Sequence, residues 1–137
     1  MTRPEKAVEF HHQGLNCAQS VTCAFSDLLQ ENQELLFRMA EAFGGGMGAM
    51  KTCGAVTAMG LVIGLIVSDG DLINHRTKGI STRLMRKAIT EFEQRNQSVV
   101  CRDLKGKDTG TVLRSCDGCI SDAAEILEEV LKNIRIK

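Results

Sequence analysis

The stretch TCGAVTAMGLVIGLIV, residues 52–67, is almost wholly apolar and decides the fold. It is shorter than the roughly 20 residues that a comfortable membrane span needs, so we predict a buried helix at the centre of a domain and no membrane insertion. Gly60 and Gly64 lie four residues apart, and we expect another helix backbone to approach closely there.

Helical signals continue on both sides of this segment. Thr2 and Glu5 form a capping-box pattern before a first helix that runs to about His12, and Asn16 caps a second. Apolar residues at three- and four-residue spacing predict the other helices. These are 33–43, 71–97 with a break near Gly79 as an alternative, a short helix through Leu104, and 115–134. With no alternating β pattern and no internal repeat, we predict an all-α, single-domain bundle of about six helices over residues 1–137.

The composition limits the classes of function. Lys+Arg and Asp+Glu both total 17, so the formal net charge is zero and nothing favours binding to nucleic acid or an anionic membrane. Basic clusters, such as the one with Lys105, are interrupted by acidic residues and are interpreted as solvated helix faces, with a weak anion patch as the alternative. The start, MTRPEKAVEF, lacks a signal-peptide pattern, so we expect a cytoplasmic protein.

Stable disulfides are rare in the cytoplasm, so six cysteines there indicate metal or redox chemistry. Six buried thiols without a role are the alternative, because cysteine also packs as a small hydrophobe.

Four cysteines lie in the first turn of a predicted helix. Cys17 follows Asn16, Cys53 follows the predicted cap Thr52, Cys116 follows Ser115, and Cys101 lies in the short helix. Free backbone N–H groups and the helix dipole favour negative charge at such places, which lowers a thiol pKa and raises its nucleophilicity and metal affinity. We therefore predict one shared functional site of Cys17, Cys53, Cys101 and Cys116.

The other two cysteines have separate interpretations. Cys23 is six residues past Cys17, about 600° around a helix, so it points away and is assigned to the core. Cys119 completes the sequence CDGC with Cys116. A CxxC pair at a helix start suits dithiol–disulfide exchange and is also half of many metal sites. Cys119 could equally be an apolar position beside Ile120.

Other motifs are weaker. GGMGAMKT resembles a phosphate-binding P-loop, but Met50 stands where the second glycine is required and no strand precedes it. The glycine-rich loop instead either brings bare backbone N–H groups close to Cys53 or simply connects two helices. For His11 and His12 we favour a charge effect at a helix C-terminus or a surface position over metal ligation.

The blocks GLNCAQSV, FGGGMGAMKTCGAVTAMGLVIG, CRDLKG and CDGCISDAAEIL together resemble the redox-active family named for its C-GCAxxG-C-C cysteine pattern. The resemblance covers nearly the whole chain and implies that the signature cysteines are Cys17, Cys53, Cys101 and Cys116. The order Cys53-Gly54-Ala55 departs from the family label. The domain is also similar to one in certain multihaem cytochromes with an iron–sulfur centre, which implies a cluster as an alternative.

Three hypotheses remain open. The first is a redox protein, in enzymatic terms a thiol-based oxidoreductase, in which these thiols serve thiol–disulfide exchange or electron transfer with a redox partner protein. In the exchange mechanism, pairs of thiols cycle between dithiol and disulfide. In the second, the four cysteines, with Cys119 as a further candidate, hold an iron–sulfur cluster or zinc. The third is a helical interaction module without redox chemistry. The rich apolar run also favours a homodimer.

Overall fold

The computed structural model describes residues 1–134. Its α-helices are α1 Arg3–His12, α2 Cys17–Ala24, α3 Ser26–Leu29, α4 Gln33–Ala40, α5 Gly54–Val67, α6 Lys78–Asn96, α7 Cys101–Leu104 and α8 Cys116–Val130. These residues contain no β-strand, and an isolated antiparallel bridge joins Thr52 to Val100. The all-α prediction is confirmed. Within the described residues, the α-helices number eight rather than about six. Helix α3 is a separate element of four residues, and α7, also of four residues, is the predicted short helix.

Helix α5 is the central buried helix that its composition predicts. It packs against α2, α6 and α8, and Val56, Met59 and Val62 are completely buried. Within residues 1–134, no helix is both long and apolar enough to cross a membrane. The expected close helix approach is wrong: a Cβ at Gly60 would meet only the Met85 side chain, and nothing lies within 4 Å of one at Gly64.

Side-chain caps begin the helices that frame the site. Thr2 and Glu5 form the predicted capping box of α1, and Asn16 and Gln19 form a second one at α2. At α8, the Ser115 hydroxyl accepts a hydrogen bond from the Gly118 N–H at 3.0 Å. These caps satisfy backbone donors that a helix start leaves free, and therefore hold the adjoining cysteines in defined positions.

Two predicted boundaries are wrong. Helix α5 begins at Gly54 with Cys53 itself as the N-cap, so Thr52 does not cap it. Helix α6 begins at Lys78 rather than at Asp71. The Asp71 carboxylate accepts hydrogen bonds from nearby backbone N–H groups, including that of Ile73, and this local turn competes with helix formation.

Candidate thiol site

A cavity of about 210 Å³ lies where the N-terminal ends of four helices meet. All four cysteines of the predicted site line it, and Cys119 is a fifth: the set is Cys17, Cys53, Cys101, Cys116 and Cys119. Cys23 is not among the lining residues and is buried in the core, as its helical spacing predicts. None of the six cysteines, all within the described residues, forms a disulfide.

Two backbone hydrogen bonds bring Cys53 and Cys101 together. The Cys53 N–H donates to the Val99 carbonyl at 2.7 Å, and the Cys101 N–H donates to the Lys51 carbonyl at 2.6 Å. They flank the bridge between Thr52 and Val100. This short pairing joins segments almost fifty residues apart and fixes the start of α7 beside the start of α5.

Bare glycine backbone makes room for two of the sulfur-bearing side chains. A Cβ at Gly54 would lie 2.5 Å from the Cys17 sulfur, and one at Gly46 would lie 2.7 Å from the Cys101 Cβ. Gly46 also has a φ of 66°, a left-handed conformation that favours glycine. The glycine-rich loop therefore does more than connect helices: it admits the backbone close to the thiols.

Cys53 is the most acidic of the shifted thiols. Its pKa falls to about 7, first because the Cys119 S–H donates a hydrogen bond to it. The backbone N–H groups at the start of α5 and the positive charge of Lys105 also lower it, against the opposing effect of burial. Cys119 is the donor of this pair and is buried, and both effects raise its pKa. The arrangement places a thiolate and a thiol side by side.

The expectation that all first-turn cysteines are acidified is wrong for two of them. Burial raises the pKa of both Cys17 and Cys101, and negative charge on Cys53 raises each further. The Gly45 N–H opposes the rise at Cys17, and Lys105 opposes it at Cys101. Desolvation disfavours the charged form, and here it outweighs the helix ends.

Two cationic residues that the sequence interpretation did not assign to a site also line the cavity. Lys105 is exposed at its rim. Arg114 donates to both oxygens of the buried Asp122, at 3.1 Å each, which fixes its guanidinium beside the CDGC turn. A Cβ at Gly118 would overlap that guanidinium. The only signal in the sequence that could have pointed to Arg114 is its position two residues before Cys116. That these cations lie near Cys53 depends on packing and is not visible in the sequence.

His11 and His12 meet a common carboxylate. The Nδ1–H of His11 donates to Asp117 Oδ1 at 2.6 Å, and the Nε2–H of His12 donates to Oδ2 at 2.7 Å. These contacts lower the pKa of Asp117, and Asp117 raises the pKa of His12. His11 also lines the cavity. The end of α1 is thereby held against the start of α8, next to Cys116.

Cysteine side chains are suitable ligands for a metal ion or a cluster. Whether they could hold one also depends on how closely they are grouped. Throughout residues 1–134, no three His, Cys, Asp or Glu side chains are grouped closely enough to hold a metal ion.

Comparison with known families decides the classification. The profile of the family described as "Putative redox-active protein (C_GCAxxG_C_C)" matches residues 15–130, which include all six cysteines. The chain belongs to this family. No curated protein and no solved structure gives a significant match. The family description supports redox activity in general and names no reaction or partner.

Proposed function

We propose that this protein is a dithiol–disulfide redox protein in which Cys53 is the attacking thiolate and Cys119 the resolving thiol. The observation that carries this proposal is the cavity that brings Cys53 and Cys119 together with three further cysteines, and Cys119 is also the group that most lowers the Cys53 pKa. A pKa of about 7 leaves roughly half of Cys53 ionised near neutral pH, where an ordinary thiol is mostly protonated.

The first step is attack of the Cys53 thiolate on one sulfur of a substrate disulfide. A new bond joins Cys53 to that sulfur, the substrate S–S bond breaks, and the other substrate sulfur leaves as a thiolate that takes up a proton. Lys105 lowers the energy of negative charge at Cys53 before the attack.

The second step closes an internal disulfide. Cys119 loses its proton and attacks the Cys53 sulfur, and the first substrate sulfur leaves as a second thiol. The substrate disulfide gains two electrons and two protons, and the Cys53–Cys119 dithiol loses them. An external dithiol then reduces the protein by the reverse exchange.

Trapping the mixed disulfide tests this order of events. Reduced protein is treated with the neutral 2-hydroxyethyl disulfide, quenched with acid and mapped by mass spectrometry. Wild type should form the Cys53–Cys119 bond, whereas Cys119→Ser should accumulate a mixed disulfide on Cys53. Cys23→Ala, which removes a buried thiol outside the cavity, is the matched control and should behave as wild type. Mixed disulfides confined to cysteines other than Cys53 would refute the assignment.

The other two hypotheses stay predictions with direct tests. Anaerobic purification followed by assays of iron, zinc and acid-labile sulfide tests the metal hypothesis; stoichiometric metal that is lost on replacing the cavity cysteines would support it. If the cavity-cysteine variants change only the melting temperature, with neither metal nor thiol reactivity affected, the interaction module is favoured. Size-exclusion chromatography with light scattering tests the predicted homodimer.

A further inference from the structure

We propose that the cavity binds a small disulfide carrying carboxylate groups, with Lys105 as the residue that selects for negative charge. This inference rests on the proposed thiol–disulfide function and adds the chemical class of the substrate. Three features support it: the charges around the cavity, the hydrogen bonds that neighbouring carboxylates already accept, and the size of the cavity.

Lys105 is the cation available to a ligand. It lines the cavity, is exposed, and lies close enough to Cys53 and Cys101 to lower the pKa of both. Within residues 1–134, its ammonium group forms no salt bridge. A lysine kept at the mouth of a thiol cavity without a carboxylate partner suits an anionic ligand.

Arg114 adds a second positive charge in a fixed position. Its two hydrogen bonds to Asp122 leave the guanidinium on the cavity wall, where it is coupled electrostatically to Cys119. Because that ion pair neutralises much of its charge, Arg114 contributes less than Lys105 to attracting an anion.

Carboxylates do not counter these cations at the cavity surface. Neither Asp nor Glu is among the described residues that line it. Two carboxylates of helix α8 are occupied, since Asp117 accepts from two histidines and Asp122 accepts from Arg114. An incoming carboxylate can therefore pair with Lys105 without displacing a protein carboxylate.

The size of the space limits the ligand. The cavity of about 210 Å³ is below the range of roughly 300–1,000 Å³ typical of drug-sized ligands. Cys17 and Cys116 are only half-buried, so the cavity is open to solvent on their side. A short aliphatic disulfide fits these limits, and its leaving thiolate would depart next to Lys105.

Three matched disulfides provide the test: 3,3′-dithiodipropionate, 2-hydroxyethyl disulfide and cystamine, which are anionic, neutral and cationic. The rate of reaction at Cys53 is measured for each by acid quenching and peptide mapping. Each rate is divided by the rate of the same disulfide with free 2-mercaptoethanol, which removes differences in intrinsic reactivity. We expect the order anionic, neutral, cationic in wild type, with the preference weakening at high salt.

The variant Lys105→Gln removes the charge, and Lys107→Gln is the matched control because Lys107 is exposed but outside the cavity lining. Lys105→Gln should lower the anionic-to-neutral rate ratio by about fivefold, the effect of one charge at short range in a largely aqueous setting. The ratio is informative even if all rates fall, since Lys105 also acidifies Cys53. Lys107→Gln should leave it unchanged.

The outcomes separate the two proposals. If the neutral disulfide reacts at Cys53 but the ratio is one, or is the same in Lys105→Gln as in wild type, the substrate class is wrong and the redox function stands. A preference for cystamine overturns the substrate class in the same way. If none of the three disulfides reacts at Cys53 in the reduced protein, the proposed function fails and this inference fails with it.

Discussion

The hydrogen bond from Cys119 to Cys53 can be tested by removing its donor. The variant Cys119→Ala should raise the Cys53 pKa from about 7 toward its ordinary value of 9.0, because Cys119 is the largest acidifying effect and burial remains, while the N–H groups at the start of α5 and Lys105 still oppose the rise. A full return to 9.0, a change of about two in pKa, would correspond to about 3 kcal/mol of thiolate stabilisation. Cys119→Ser is the matched control, since its hydroxyl still donates a hydrogen bond but forms no disulfide.

The effect on rate follows from two opposing terms. If the Cys53 pKa in Cys119→Ala returns fully to 9.0, the ionised fraction of Cys53 at about pH 7 falls from roughly one half to about one hundredth. The intrinsic nucleophilicity of the more basic thiolate rises by about eightfold, for a Brønsted coefficient near 0.45. The net rate with a neutral disulfide should therefore fall by about sixfold at about pH 7. The two pH–rate curves should cross at about pH 8. Well above that pH, the rate of the variant should exceed that of wild type.

The assay is the pH dependence of Cys53 labelling by 2-hydroxyethyl disulfide, read by peptide mapping after an acid quench. Wild type and Cys119→Ser should show an apparent pKa near 7, and Cys119→Ala should show one shifted toward 9, without the early plateau. An apparent pKa near 7 in Cys119→Ala, or near 9 in wild type, would refute the role given to this hydrogen bond.

Two further predictions concern the framework of the site. Gly54→Ala should destabilise the fold by about 1–3 kcal/mol and change the labelling rate of Cys17, because the added Cβ would lie 2.5 Å from that sulfur. Urea denaturation measures the loss, and Gly64→Ala on the same helix, with nothing within 4 Å, should instead be neutral or stabilising. The ion pair of Asp117 with His12 should give a pH window of stability. Because the Asp117 pKa is lowered, its contribution is lost as pH falls through that value; because the His12 pKa is raised, its contribution is lost as pH rises through that value. Asp117→Asn should flatten both flanks of the stability curve, and a variant curve parallel to that of wild type would contradict this.

The helices and their caps could be predicted because their signals are local. The boxes at Thr2 and Asn16 each depend on residues three apart, and the burial of α5 follows from its apolar composition. Local signals failed where two local structures competed. Asp71 forms a turn instead of opening α6, and Cys53 rather than Thr52 is the cap of α5.

The placement of cysteines at helix starts was also evident in the sequence, and the four predicted site residues do line one cavity. Their individual acidities were not. Burial raises the pKa of Cys17, whereas a neighbouring S–H lowers that of Cys53, although both lie at a helix N-terminus. Desolvation and side-chain contacts depend on what surrounds each sulfur, and that is decided by packing.

By itself, the sequence determined an all-α fold, its central helix and a set of cysteines at helix N-termini, because periodicity and capping act over three or four residues. Only the tertiary structure decided that Cys119 is the partner of Cys53 and that Lys105 stands at the mouth of their cavity. These residues are separated by tens of positions in the chain. Their contact depends on the pairing of Thr52 with Val100 and on the packing of α8 against α5.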